Sequence, residues 1–416
     1  MEDLVQNKPS FGSTELKTRR IKATLGLYIA IFICGVAGMQ NDVIMAKYLP
    51  LEFSSDSAVF GLTFTMFRLG KFMMMIPLAK LSDKLGRKSL LLFTFGIYSF
   101  GTFLAGLAQT IEQFLFYRFL KGMSSFEAIA LALINDYFEE GKRGKPIALL
   151  FTSLGIGSLL GTLTGGFFLN WFQYRQAFYF LGLITFIPIP VVLILIKNPS
   201  HTKELYKHSG SLKLPRISLK SQKSFLRERN YILGIIIGMI ITFLYSGISS
   251  YTIYIVINYF KVNNELSGIL LIPTNGAYIF LSLTVGNKEN PLKLIKRGLA
   301  ILALIFAVFV ILRWIDRISI FIALLVLCFG LLGILMPAID NFQSNIIPAN
   351  VRGEAFGIYR SLTLVGSIIG SAMIGIIGSI FWVFTPFLLM GLFSMIGLFV
   401  SLFIKTKNFF IQTADK

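Results

Sequence analysis

The chain has 416 residues, 55% of them hydrophobic and 14% charged, with a formal net charge of +19. A mean hydropathy of +0.73 excludes a soluble globular protein, which needs far less apolar surface at this size. Nucleic-acid binding is excluded by the placement of the charge. It is divided among short segments between apolar runs of about 20 residues, the length that crosses a hydrocarbon core about 30 Å thick.

A polar, basic tail over residues 1–22 comes first. The run after it carries no small-residue cleavage site, so it reads as a retained helix and not a signal peptide. Twelve spans follow, at about 23–47, 57–80, 88–109, 113–137, 146–169, 175–197, 231–258, 265–285, 298–313, 318–343, 354–378 and 382–404. They divide six and six around a basic linker, giving a first bundle at about 23–197, the linker at 198–230, a second bundle at 231–405 and a tail at 406–416. The stretch from Lys197 to Asn230 carries nine Lys/Arg against two Glu. With the N-terminus inside, inside segments hold roughly 29 Lys/Arg and outside segments roughly five, which predicts both termini on the cytoplasmic face of a plasma membrane. Anionic lipid at that face is a further partner for the basic segments.

His201 and His208 both fall in the linker, while Cys34 and Cys328 both fall in spans. A histidine proton relay within the membrane, a histidine-based enzyme site and a disulfide are therefore not expected, and no metal or cofactor is implied.

The two halves echo one another. "KRGKPIALLFTSLGIGSLLG" and "VRGEAFGIYRSLTLVGSIIG" align without gaps, placing Arg143-Gly144 on Arg352-Gly353, Gly157 on Gly366 and Gly161 on Gly370; further along, Gly166 matches Gly375. Parallel repeats about an axis along the membrane normal are one construction of secondary transporters. Gly157, Gly161 and Gly165 recur every fourth residue on one helix face, which permits close helix contact. Gly155 and Gly157 do not make a dinucleotide fingerprint, because no strand precedes them. The "FMMMIP" run reads as apolar packing, since consecutive residues on a helix face different ways.

Ionisable groups within spans are expensive and need a partner, a wet cavity or a function. In chain order they are Asp42, Arg68, Lys71, Arg118, Lys121, Glu127, Asp340 and Arg360, five cations against three acids. Asp42, near the outer end of span 1, is either an acid snorkelling to water or the partner of Arg118. An acid beside a cation stays ionised and an acid alone in an apolar cavity does not, so separating that pair would load or release a proton. Glu127 lies near the middle of span 4, where a carboxyl is more often functional than filler. Arg68 and Lys71 share one face of span 2. That face either pairs with Glu127 or Asp340, or stays free for an anionic substrate. Span 7 adds Tyr245, Tyr251 and Tyr254, and span 8 adds Asn275 beside Pro273, which suit a polar substrate surface or helix–helix hydrogen bonds.

"LAKLSDKLGRKSLLL" resembles the loop signature between helices 2 and 3 of the major facilitator superfamily, with Asp83, Gly86, Arg87 and Lys88 matching and Ala79 in place of its first Gly. "RFLKG" resembles the helix 4 signature with Lys121 in place of Gln, and "GTLTGG" that of helix 5 with Thr162 in place of Pro. The resemblance covers the chain from about Ile21 to about Lys405. It implies an all-α integral membrane protein, two pseudo-symmetric six-helix bundles around a central cavity lined by helices 1, 4, 7 and 10. It also implies a cytoplasmic latch, with Asp83 near the start of helix 11 at Glu354 and Arg87 on Asp136. The function implied is secondary active transport of a small organic solute by alternating access, with a proton as coupling ion and a monomer as the working unit. Multidrug efflux and uniport are the alternatives. An enzyme is not expected, because no acid or histidine cluster marks a reaction site.

Overall fold

The structure, a computed structural model, describes residues 13–138, 144–196, 228–284, 290–311, 317–347 and 352–404. Among these, all regular structure is helical: α1 (Ser13–Phe53), α2 (Ser57–Leu85), α3 (Arg87–Ala105), α4 (Ile111–Gly122), α5 (Phe126–Tyr137), α6 (Gly144–Trp171), α7 (Tyr174–Phe186), α8 (Pro188–Leu195), α9 (Arg229–Tyr254), a π-helical turn (Ile255–Tyr259), α10 (Asn264–Thr284), α11 (Pro291–Ile311), α12 (Ile318–Ile346), α13 (Arg352–Ile380) and α14 (Thr385–Leu402). Among the described residues, eleven stretches are long and apolar enough to cross a membrane, and α4 with α5 makes a twelfth crossing. Most of the expected linker, residues 197–227, lies outside the described residues.

Helix ends follow local chemistry. Asp56 caps α2 by accepting from the Val59 amide at 3.1 Å, satisfying one of the free N–H groups of a first turn. Gly86 ends α2 at φ 89°, a conformation glycine enters at little cost, and α3 starts at the next residue. The "GRK" turn thus reverses the chain in one residue. Pro188 lacks an N–H to continue α7, so span 6 is α7 and α8 in succession.

Span 4 departs from the expected continuous helix over 113–137. It breaks between Gly122 and Phe126, with Ser125 at φ 25°. Gly-Met-Ser-Ser is poor helix sequence, because Ser hydrogen-bonds locally and Gly is conformationally free. The break moves Glu127 from mid-helix to the first turn of α5, where the positive end of the helix dipole favours a carboxylate.

Within each half, matching glycines make matching contacts. A methyl at Gly157 or Gly161 of α6 would run into the α1 backbone at Phe32 or Val36, and one at Gly366 or Gly370 of α13 would run into the α9 backbone at Met239 or Phe243. Gly165 faces Val43 and Gln40 of α1. Between halves the symmetry persists: Gly166 of α6 meets Asn264 of α10, and Gly375 of α13 meets Ser57 of α2. The internal repeat is therefore a structural one, with small residues bringing backbones close where no hydrophobic force drives helices together in lipid.

Candidate functional site

The two halves are joined most tightly on the face away from the linker. There Lys47 donates to the Asn264 side chain at 2.6 Å, and Asn258 donates to the Ala46 carbonyl at 2.8 Å. Asn264 donates to Asn170 at 2.9 Å, and Asn170 in turn donates to Glu265 at 2.7 Å. On the other seam, Ser57 donates to the Gly375 carbonyl at 3.0 Å, and the Thr65 and Ser371 hydroxyls are 2.9 Å apart. These bonds form a clasp of amides and hydroxyls with one ammonium, Lys47, and one carboxylate, Glu265.

Toward the linker face the halves part around a cavity of about 550 Å³. It runs from Met39, Tyr245 and Ser249 in the middle of the molecule to Ala148, Leu283, Asp340 and Arg360 near the linker face. Arg360 has half of its side chain exposed there. The wall is mainly apolar, with a few hydroxyls and amides, the usual composition of a small-molecule site. Asn275 lines it and donates to Thr162 at 3.3 Å, so the residue replacing the signature proline joins α6 to α10.

Beside the cavity, the interior of the first half holds a charge cluster. Asp42 of α1 and Arg118 of α4 are 3.8 Å apart. Arg118, 3% exposed, also donates to the Thr63 carbonyl at 3.4 Å. Lys71 of α2 pairs with Glu127 of α5. Arg68 and Arg118 both lie over the Phe64 ring, at 5.5 and 5.7 Å from its centroid, a cation–π arrangement that lowers the cost of burying a guanidinium. The buried Nη1 of Arg68 has no hydrogen-bond partner among the described residues. Tyr245 of α9, in the cavity wall, lies within electrostatic reach of both Arg68 and Asp42. Cavity and charge cluster meet at that ring.

Several expectations need correction. Asp340 accepts from Tyr359 at 2.9 Å and from Arg360 at 2.6 Å; its own half satisfies it, and it does not pair with Arg68 or Lys71. Tyr251 and Tyr254 are not among the residues of the cavity wall. The Tyr251 hydroxyl donates to the Val383 carbonyl at 3.0 Å, its ring stacks on Tyr254, and Tyr254 packs on Phe60. Both serve helix packing, because α9 turns that face toward α13, α14 and α2. Glu127, with 34% of its side chain exposed, is not an isolated carboxyl in oil. Sequence reasoning did not single out Thr252, Thr274 or Tyr278 as wall residues, nor Lys47 and Asn264 as a clasp. Tyr278 follows Asn275 by three positions, a spacing that puts both on one helix face.

At the linker face, Arg87 pairs with Asp136 at 3.0 Å and also donates to Ser82, while Lys88 donates to the Leu193 carbonyl at 2.8 Å. The side chains of Asp83 and Glu354 lie outside the described residues.

Comparison with known proteins accords with this architecture. The family model of the Major Facilitator Superfamily matches residues 27–339. The inner membrane transport protein YajR of Escherichia coli is 23% identical over 369 residues, 87% of this chain and 78% of that protein. The quinolone resistance protein NorA of Staphylococcus aureus is 24% identical over 357 residues, 84% and 88% of the two chains. Among solved structures, a bacterial homolog of the human lysosomal transporter Spinster, inward-facing and occupied, superposes with a TM-score of 0.75 at 14% identity, covering 94% of this chain and 98% of that one. A D-xylose–proton symporter gives 0.72 at 16% identity, covering 95% and 99%.

Proposed function

Because the chain belongs to the Major Facilitator Superfamily, and so is a multi-pass membrane transporter and not an enzyme, we propose that it moves a small organic anion in exchange or in company with protons. The observation that carries the reading is the buried Arg68 Nη1, which has no hydrogen-bond acceptor among the described residues. Among the described residues, the charge cluster inside the first half has four cations, Arg68, Lys71, Arg118 and Lys121, around two carboxylates, Asp42 and Glu127. Asp42 is taken by Arg118 and Glu127 by Lys71, which leaves the Arg68 Nη1 without an acceptor close to Tyr245. A buried donor left unmade is costly, and a carboxylate or phosphate reaching past Tyr245 from the cavity would complete it, with the bidentate geometry a guanidinium favours.

Asp42 is the proposed proton carrier. Arg118 beside it favours its ionised form, and movement of α1 against α4 would leave it in an apolar surrounding that favours the neutral acid. With the linker face cytoplasmic, as the distribution of Lys and Arg supports, the cavity opens inward in this conformation and the amide clasp closes the outside of a plasma membrane. Rocking of the two halves about the cavity would then reverse the opening. The Arg87–Asp136 pair braces one side of the proposed cytoplasmic latch.

The test is purified protein in proteoliposomes, given a panel of carboxylates, organic phosphates, sugars and lipophilic cations with and without an imposed pH gradient. Wild-type protein is expected to transport at least one anion in a gradient-dependent way. Arg68→Gln is expected to raise the half-saturating concentration of that anion by about tenfold to a hundredfold, the worth of a charged hydrogen bond. Unchanged anion transport in Arg68→Gln would remove the anionic reading. A second reading, export of lipophilic compounds, is favoured by the apolar part of the wall at Phe151, Leu154, Ile253, Phe329 and Met336 and by the similarity to NorA. Transport of the lipophilic cations alone would select it.

A further inference from the structure

Lys121 is the most deeply placed lysine of the charge cluster, with only 2% of its surface exposed. It follows Arg118 by three positions on α4 and stands where the family signature carries Gln. Its ammonium donates to the Asn41 side-chain oxygen at 3.2 Å and lies 4.5 Å from the centroid of the Tyr98 ring. No carboxylate comes within 4 Å of it among the described residues. Three N–H donors therefore share one neutral oxygen and one ring face. Its backbone packs closely on α3, where a β-carbon on Gly101 would come within 2.8 Å of it.

The one acceptor is itself oriented. Asn41 donates through its amide nitrogen to Asp42 at 3.4 Å, so the amide dipole points its oxygen at the ammonium and its N–H at the carboxylate. Lys121, Asn41 and Asp42 form a line with a cation at one end and an anion at the other. The remaining groups facing Lys121 are Cys34 from α1, Tyr98 from α3 and Arg118 from its own helix. Arg68 and Lys71 of α2 and Glu127 of α5 complete the charged set of this interior. Asp42 is the sole carboxylate in the set that is not already held by a lysine.

We infer that Lys121 is a second counter-charge to Asp42, linked to it through Asn41, which sets how readily Asp42 takes up a proton. The inference rests on the proposal that Asp42 is the proton carrier. Arg118 and Lys121 then divide the work. Arg118 faces the carboxylate directly, while Lys121 acts on it at longer range through the Asn41 amide. With a second cation at the far end of the Asn41 amide, protonation of the carboxylate waits for more acid than it would with the uncharged Gln of the signature. Lys121 is a positioning residue, since it acts on the proton through Asp42.

Infrared spectroscopy of the purified full chain in lipid nanodiscs tests this with the proton itself as the probe. The carbonyl stretch of a protonated carboxylic acid is followed from about pH 4 to about pH 9 and assigned to Asp42 by its loss in Asp42→Asn. In Lys121→Gln the midpoint of that band is expected about one pH unit or more above wild type, because a nearby cation favours the ionised acid. Lys121→Arg is expected to keep the wild-type midpoint. Should Lys121→Gln not give monodisperse protein, Lys121→Met carries the same expectation. An unmoved midpoint in a cation-free variant overturns the role of Lys121 while leaving Asp42 as carrier. A wild-type spectrum without any Asp42-dependent band overturns both.

Discussion

Arg118→Leu is expected to abolish transport in reconstituted vesicles, down to the background of empty liposomes. The substitution keeps the apolar volume between Phe64 and Phe67, both of which lie under the guanidinium, and removes the partner that Asp42 meets at 3.8 Å. Breaking a buried ion pair by deleting one member costs about 3–5 kcal/mol, because the surviving charge is left uncompensated. Here the survivor has an outlet: Asp42 can bind a proton and stay neutral. The expected product is a folded protein whose carrier no longer releases its proton, with uptake reduced by about a hundredfold or more. Solute exchange without a pH gradient separates this from unfolding, since a protein stuck with one protonation state can still exchange. Gradient-driven uptake above a tenth of wild type in Arg118→Leu would show that the pair does not carry the coupling.

Gly161→Val is expected to have the largest effect on stability. Any β-carbon at that position meets the Val36 backbone, and the two γ-methyls of valine add further bulk, so α1 and α6 must separate along their contact. Overpacking of this kind costs about 1–3 kcal/mol when side chains can yield, and here the obstacle is backbone. Thermal unfolding in detergent, followed by loss of the monodisperse peak, is expected to move down by several degrees. Gly96→Ala is the control: nothing lies within 4 Å of a β-carbon there, and its unfolding temperature is expected to match wild type. Equal behaviour of the two variants would contradict the close-packing account of the glycine repeat.

The parts of this molecule that the sequence disclosed are those governed by the bilayer. Length and apolarity mark a crossing segment whatever its neighbours do, so the spans, the two halves and the glycine repeat could be read directly. The Asp42–Arg118 pair was legible for a related reason: a charge in oil must find its opposite, and few were on offer. The break in span 4 was hidden because Gly122, Ser124 and Ser125 sit in an otherwise apolar run, and tertiary contacts with α2 and α3 decide whether such a run bends. Tyr251 and Tyr254 misled because a phenol is equally suited to a substrate and to a neighbouring carbonyl. Only the direction in which α9 faces α13 distinguishes the two. The clasp was invisible for the opposite reason, as Lys47, Asn170, Asn258 and Asn264 lie far apart in sequence and resemble ordinary residues at span ends.

The central claim is that one cavity between two halves is reached from one side of the membrane at a time. The direct measurement is labelling of Ser249→Cys, a wall position, with a membrane-impermeant maleimide applied separately to right-side-out and inside-out vesicles. Cys34 and Cys328 are both buried and give little background. The expected result is reaction from the linker side alone. Adding Lys47→Ala and Asn264→Ala, which cut the clasp, is expected to admit label from the opposite side and to slow it from the linker side in proportion. Reaction from neither side, or equal reaction from both that cutting the clasp does not redistribute, would contradict the account.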